Sequence, residues 1–257
     1  MDMRHLMHAR TRITVGALSG ALALSALAAP LADAAPAATD VKNIVVNKGK
    51  PVVIGVSGSV TVPVTMSVTG GASHGASATL YHGRWPDATD VWVDPAKTCG
   101  AHAADYTCSM QFTFTARKTV KKNAQAGAWG VAAYAVGNAN AQRFLPGVFT
   151  VVRAARLTAD ATPEPVNKGK SLTVKGRLTR ANWETGTYLG NTNQTVRLQF
   201  RKKGATAYTT VKTVKAGTDG ALKATVAATA DGYWRWSFAG TVTTGPATSS
   251  ADYVDVR

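Results

Sequence analysis

The stretch GYWRWSF at Gly232–Phe238 alternates large aromatic residues with polar or smaller ones. Successive side chains of a β-strand point to opposite faces, so Trp234, Trp236 and Phe238 share one face. We expect that face to lie in a core, where each large ring contributes about 2–3 kcal/mol. The remaining side chains are expected to point away from the core, and these are Tyr233, Arg235 and Ser237.

An earlier stretch, GAWGVAA at residues 127–133, matches this strand at an offset of 105 positions, which aligns Trp129 with Trp234. A second anchor is VNKGK, which occurs identically at 46–50 and 166–170, 120 positions apart. The chain therefore contains an internal duplication. Because the offsets differ, the first copy carries about 15 extra residues between the two anchors.

The duplication predicts two domains, at residues 35–153 and 154–257. Asn and Gly tolerate a positive φ, so we expect VNKGK to reverse the chain between the first two strands of each domain. Short alternating runs separated by turn residues at spacings of about 8–12 are typical of a β-sandwich. We therefore predict an all-β protein with two tandem immunoglobulin-like sandwiches. The clearest predicted strands of the second domain are 171–178, 195–201, 208–214, 221–227, 233–238 and 252–257.

Residues 1–34 read as an export signal. A basic start precedes an apolar run at 13–29, and small residues follow, with the expected cut after Ala34. A membrane anchor is the alternative, although the run is shorter than the ~20 residues that a span prefers. The expected location is extracellular, as a secreted protein with no transmembrane segment in the mature chain.

Charge is the main compositional signal. The leader takes three of the 29 basic and two of the 14 acidic residues, which leaves 26 against 12 and a net charge of about +14. Such an excess attracts polyanions, so anionic cell-wall polymers or polysaccharide are the expected partners. Basic residues beside an aromatic ring, as at 201–203 and Tyr208, also suit single-stranded nucleic acid, but this short run is more typical of a charged hairpin tip, and we predict no dedicated nucleic-acid site.

Cys99 and Cys108 are the two cysteines of the chain. In an oxidising compartment they are expected to pair. So short a loop contributes about 2.5–3 kcal/mol in the chain-entropy model. Both lie in the interval that carries the extra residues of the first copy.

The second half resembles the immunoglobulin-like domain of proteins secreted by actinomycetes, through VNKGKSLTVKGRLTRANWETGTYLG and ADGYWRWSFAG. The first half is similar to the domain that often precedes it, through VNKGKPVVIG, the close cysteine pair and AGAWGVAAYA. The resemblance covers nearly the whole mature chain and implies a non-enzymatic role, since its motifs are structural. Some of these proteins are described as calcium-binding.

Aromatic side chains outside the predicted core are candidates for stacking on sugars: Trp183, Tyr188 and Trp85. The alternative for Trp183 is that its ring caps the end of the core. Calcium would need several oxygen ligands, and the candidates are Asp87, Asp90 and Asp94, with ordinary turn aspartates as the alternative. We expect no other cofactor.

Gly71–Gly75 matches the G-x-S-x-G pattern of a hydrolase nucleophile elbow around Ser73, but that elbow needs a strand leading into a helix. The three histidines outside the leader fit no zinc spacing. We therefore predict a secreted, non-enzymatic protein with a structural or binding role, and a carbohydrate-binding module or a calcium-binding protein as alternatives.

Overall fold

A computed structural model describes residues 37–84, 90–102, 105–137 and 139–257, with the backbone alone for 90–97. The predicted leader, including its cut after Ala34, lies outside the described residues. In the described part, no helix is long and apolar enough to cross a membrane. The structure is built almost wholly from strands, which confirms the all-β prediction. The strands are β1 (Asp40–Val46), β2 (Val52–Ile54), β3 (Ser59–Thr69), β4 (Ala76–His82), β5 (Asp90–Cys99), β6 (Tyr106–Thr115), β7 (Gly127–Ala135), β8 (Ala141–Arg153), β9 (Ala155–Leu157), β10 (Asp160–Thr162), β11 (Ser171–Asn182), β12 (Thr187–Gly190), β13 (Thr195–Lys202), β14 (Thr209–Lys215), β15 (Ala221–Ala227), β16 (Gly232–Phe238), β17 (Ala247–Thr248) and β18 (Asp252–Val254).

The first sandwich packs a three-stranded sheet, β1-β3-β6, against a five-stranded sheet, β2-β8-β7-β4-β5. All pairings are antiparallel except that of β2 with β8, which is parallel. Alternation places one side of each sheet inside: β3 buries Val62, Val64, Met66 and Val68. This is an immunoglobulin-like arrangement.

The second sandwich repeats the plan. One sheet is centred on β11, which pairs with β9, β10, β12 and β15. The facing sheet runs β14-β13-β16 and ends with β17 and β18, both paired with β16. A parallel bridge between Val166 and Val256 takes the place of the β2-β8 pairing. Both halves therefore share the same two-layer construction.

The aligned tryptophans occupy equivalent places. Trp129 on β7 is 1% exposed and Trp234 on β16 is 4% exposed, and each strand is flanked on both sides within its sheet. The predicted core face of each copy is thus confirmed. The copies differ on the opposite face, because Gly130 is covered closely by the ring of Tyr81, whereas its counterpart Arg235 is half-buried.

The two VNKGK turns do not occupy equivalent places, so the prediction of one shared role is wrong. In the first sandwich the turn joins β1 to β2. In the second it follows the parallel bridge at Val166 and enters β11, one strand later. The backbones differ too: Asn47, Lys48 and Gly49 all have positive φ (49°, 55° and 74°), whereas in the second copy only Gly169 does (81°). The strand pairing around each turn, and not the VNKGK sequence itself, therefore determines the backbone conformation of the turn.

Cys99 and Cys108 form a disulfide with Cα atoms 5.7 Å apart, which confirms the predicted pairing. The bond closes a short loop in sequence, yet its cysteines lie on different sheets. Cys99 ends β5 at the edge of the five-stranded sheet, and Cys108 lies on β6 at the edge of the other. The disulfide therefore holds the two layers together along one edge of the sandwich.

The two sandwiches are joined without a free linker. The Ala154 N–H donates to the Ile54 carbonyl at 2.8 Å, and the Ala154 carbonyl accepts from the Ala181 N–H at 2.8 Å. Next to it, the Arg153 N–H donates to Thr243 O and the Arg153 carbonyl accepts from Gly245 N–H. Residues 36–257 form one compact unit in which the backbone is hydrogen-bonded on both sides of the boundary.

Candidate functional site

Trp183, the leading candidate for sugar stacking, is buried. Its side chain is 1% exposed and packs into the core of the first sandwich, although the residue belongs to the second. The indole N–H donates to the Ile54 carbonyl at 3.3 Å. A ring enclosed in this way has no free face for a sugar, so the prediction of an exposed Trp183 is wrong and the core alternative holds.

Tyr188 lies beside the same junction and is half-buried. The guanidinium of Arg156 sits 3.7 Å from the centre of its ring, so one ring face is already occupied by a cation. Its hydroxyl lies against Gly55. Tyr188 therefore belongs to the contact between the sandwiches. The third candidate, Trp85, lies outside the described residues.

The calcium prediction stays a prediction. Asp87 lies outside the described residues, and for Asp90 and Asp94 only the β5 backbone is described. In the described part of the chain, no three His, Cys, Asp or Glu residues cluster as metal ligands. The nearby Asp105 accepts a hydrogen bond from the Gly70 N–H at 2.8 Å, which is a structural contact between loops.

Ser73 does not lie in a nucleophile elbow. Its turn connects β3 to β4, so a strand follows where the elbow requires a helix. The hydroxyl contacts Nδ1 of the adjacent His74 at 3.1 Å in an exposed position. The residues that match the G-x-S-x-G pattern therefore form an ordinary turn between two strands.

The most distinctive exposed arrangement is a stack of rings and guanidinium groups on the outer side of the β14-β13-β16-β18 sheet. We call it the aromatic–cationic face. Alternation on the strands and the pairing of Arg201 with Tyr233 across β13 and β16 bring these side chains to one side. The face consists of Arg201, Tyr208, Tyr233, Arg235 and Tyr253, all half-buried.

Cations and rings alternate along this face at contact distance. The Arg235 guanidinium carbon lies 3.6 Å from the centre of the Tyr208 ring. Arg201 lies between two rings, 5.2 Å from that of Tyr208 and 4.2 Å from that of Tyr233. Tyr233 in turn contacts Tyr253 with ring centres 5.2 Å apart. Stacking of this kind holds the side chains in place without neutralising their charge.

The two arginines have neutral hydrogen-bond partners. Arg235 Nε donates to Gln199 Oε1 at 2.9 Å, and Arg201 Nη1 donates to the Ala205 carbonyl at 2.8 Å. Within the described residues neither guanidinium forms an ion pair with a carboxylate. Each retains donors and a full positive charge for a partner outside the chain.

One carboxylate lies at the edge of the face and is already engaged. Asp231 accepts hydrogen bonds from the Val256 N–H at 2.9 Å and the Tyr253 hydroxyl at 3.3 Å, and it pairs with Lys203 at 3.6 Å. The Val256 hydrogen bond is the main reason that the pKa of Asp231 is lowered. The hydrogen bond with Tyr253 is the main reason that the pKa of Lys203 is raised. This cluster fixes the position of Tyr253.

The sequence indicated parts of this face separately. Alternation on β16 assigned Tyr233 and Arg235 to the outer side, and the structure confirms it. The basic run at 201–203, beside Tyr208, is typical of a charged hairpin tip in the sequence. Tyr253 was missed as a member of the face, because its place depends on the pairing of β18 with β16, which no local pattern specifies.

The fold defines the chain as an immunoglobulin-like protein of two sandwiches. No protein-family profile matches the sequence, and no curated protein matches it. Among solved structures, three N-terminal domains of the highly immunogenic outer capsid protein of bacteriophage RB49 are similar at 14% identity, over 85% of this chain and 70% of that one, with a TM-score of 0.32. The D0-D1 domain of intimin is similar at 13% identity, over 84% and 97%, with a TM-score of 0.28. The ectodomain of mouse nectin-like molecule 4 is similar at 13% identity, over 84% and 65%, with a TM-score of 0.25.

Proposed function

We propose that this chain is a secreted, non-enzymatic binding protein that attaches to an anionic sugar polymer at the cell surface through the aromatic–cationic face. The proposal rests on the alternation of Arg235, Tyr208, Arg201 and Tyr233 along the outer face of one sheet. Flat rings pack against the apolar faces of sugars, and guanidinium groups bind carboxylates or phosphates with paired hydrogen bonds. A polymer of acidic sugars presents both features.

Charge beyond the face supports the same partner. The net charge of about +14 expected after leader removal draws a polyanion to the protein over roughly a Debye length, about 8 Å at physiological salt. That long-range attraction is unspecific. The ordered rings and arginines supply the short-range contacts that a scattered surface charge lacks.

The predicted export signal and the disulfide support an extracellular setting. A bond between Cys99 and Cys108 is favoured where the redox environment is oxidising. The carbohydrate alternative is retained with a different location, on the outer β13-β16 face instead of the enclosed Trp183.

Retention on immobilised anionic sugar polymer, measured over a range of salt concentrations, tests the proposal. We expect Arg235→Gln and Arg201→Gln each to weaken binding about tenfold, as expected for a lost charged hydrogen bond. Tyr208→Ala should weaken it similarly. Lys223→Gln is the matched control, since it removes one charge from exposed β15, and we expect binding within twofold of the wild type.

Two results would overturn the proposal. The first is equal loss in Lys223→Gln, which would mean that binding follows net charge alone. The second is tighter retention on single-stranded nucleic acid than on sugar polymer at the same charge density, which would assign the face to another class of partner.

A further inference from the structure

A cavity of about 350 Å³ lies where the two sandwiches meet. It is distinct from the aromatic–cationic face. β8 of the first sandwich contributes Arg153, and β11 of the second contributes Arg180. The remaining lining residues are Asn123, Ala181, Asn182, Leu189 and Gly190.

Arg153 is the unusual member of this lining. Its residue surface is only 9% exposed, and its Nε atom is buried without a hydrogen-bond partner. Within the described residues its guanidinium forms no ion pair. Buried charges in folded proteins are ordinarily paired or fully hydrogen-bonded. An unpaired, nearly enclosed guanidinium that lines a cavity therefore calls for a partner in that cavity.

A second cation faces the same space. Arg180 is half-buried, and no carboxylate among the described residues pairs with it. Burial, followed by the charge of Arg180, lowers the pKa of Arg153 to about 10, so that the group remains protonated at neutral pH. Burial also lowers the pKa of Arg180. Two like charges, both partly desolvated, thus line one cavity, an arrangement that an anion between them would relieve.

The carboxylate of Glu184 acts on Arg153 but does not line the cavity. Glu184 accepts a hydrogen bond from the Asn123 N–H at 3.0 Å, and it acts on Arg153 only through its charge at longer range. The oxygens of the two asparagines are occupied as well: Asn123 Oδ1 accepts from the Trp183 N–H, and Asn182 Oδ1 accepts from Asn123 Nδ2. The charged groups that line the cavity are therefore both cations.

We propose that the cavity between the sandwiches binds a compact divalent oxyanion, a phosphate or sulfate group, between Arg153 and Arg180. Guanidinium groups match such oxygens with paired donors. Two cations favour a doubly charged group over a single carboxylate. Because one arginine comes from each sandwich, the bound anion also links the two halves of the molecule. This site is independent of the proposed attachment to a sugar polymer.

Titration calorimetry and thermal unfolding of the purified chain, with inorganic phosphate or sulfate as probe, test this site. We expect one ion per chain and an unfolding midpoint that rises with anion concentration, beyond the rise in sodium chloride of equal ionic strength. Acetate should bind at least tenfold more weakly. Glycerol phosphate reports the source of the group: binding equal to phosphate indicates an ester on a larger ligand, and loss indicates the free ion.

Arg180→Gln and Arg153→Met should each weaken phosphate binding at least tenfold. Lys223→Gln is the control, and we expect it to bind phosphate within twofold of the wild type. Arg153→Met has a second readout, because it removes an unpaired buried charge at nearly constant volume. We expect the unfolding midpoint without anion to stay equal or rise, and the anion-dependent shift to disappear.

The proposal is overturned if phosphate gives no shift beyond the chloride control, or if binding persists in both arginine variants. A fall in the anion-free midpoint of Arg153→Met, together with a wild-type protein that ignores phosphate, would assign Arg153 a purely structural role. If Arg153→Met does not fold, Arg180→Gln decides, since that side chain is half-buried and forms no ion pair within the described residues.

Discussion

At the scale of single residues, Trp183 shows how one side chain can belong to the other half of a molecule. It follows β11 of the second sandwich, yet its ring completes the core of the first. The hydrogen bond from the indole N–H to the Ile54 carbonyl gives the indole nitrogen a partner inside that core. A residue singled out as a surface aromatic is therefore a main contributor to the contact between sandwiches.

We expect Trp183→Ala to lower the free energy of unfolding by about 3–5 kcal/mol, because it leaves a large cavity in a closed core. Trp183→Phe should cost about 1 kcal/mol more than a change of ring size alone, since the bond to Ile54 is lost. Urea unfolding measures both. Leu189→Ala, at a position 48% exposed, is the control and should stay within about 0.5 kcal/mol of the wild type. A loss that small in Trp183→Ala would contradict the assignment.

Glu164 gives a pH-dependent prediction. Partial desolvation of this exposed side chain, then the charge of Asp252 and a hydrogen bond with it, raise the pKa of Glu164. A carboxyl whose pKa is raised on folding destabilises the folded state above that pKa, and the effect disappears as pH falls towards the ordinary value near 4.5. Glu164→Gln should therefore stabilise the protein at pH 7 by about 0.5 kcal/mol and have no effect near pH 4.

Denaturant unfolding at both pH values checks the Glu164 substitution. Asp255→Asn serves as the comparison, since Asp255 pairs with the exposed Arg257. We expect this variant to show no gain in the free energy of unfolding at pH 7. Equal stabilisation by Glu164→Gln at the two pH values would show that the charge of Glu164 is not the cause.

At the scale of elements, the two VNKGK turns show that one local sequence can adopt two different backbone conformations. Lys48 has φ of 55°, in the left-handed region that is unfavourable for side chains with a Cβ. Its counterpart Lys168 has no positive φ in the same five-residue context. The difference arises because the first turn leads into a strand parallel to β8, whereas the second leads directly into β11.

The same substitution should consequently have opposite effects in the two turns. We expect Lys48→Gly to stabilise by about 0.5–1 kcal/mol through relief of the left-handed backbone. Lys168→Gly should destabilise by about 0.5–1 kcal/mol, since it only adds freedom to the unfolded chain. Thermal unfolding of the two variants side by side measures the difference. Equal effects would mean that both turns share one conformation.

Period-two alternation in the sequence predicts the core faces of β7 and β16 and the outer position of Arg235, and the presence of two cysteines predicts the disulfide. Features that depend on distant pairing could not be predicted in this way: the enclosure of Trp183, the place of Tyr253 beside Tyr233, and the cavity between Arg153 and Arg180. Those two arginines are 27 positions apart and on different sandwiches, so no spacing in the sequence could bring them together.

At the scale of the whole molecule, the two sandwiches form a continuous body. Ala154 is hydrogen-bonded to both halves, Gly245 packs against Val53 and Val152, and Trp183 spans the boundary. We therefore expect calorimetry to show a single unfolding transition with equal calorimetric and van't Hoff enthalpies. Two transitions in the wild-type protein would show that the halves unfold independently.

The parallel contact of β2 with β8 has a mechanical consequence. The chain enters the first sandwich through β1, passes directly into β2 and leaves along β8, and Val166 and Val256 form a similar parallel contact in the second. Tension applied to the two ends of a protein fixed at a surface would pull such neighbours past each other in shear. The hydrogen bonds between the parallel strands would then carry the force together instead of opening one by one. The force needed to unfold each sandwich would therefore be high.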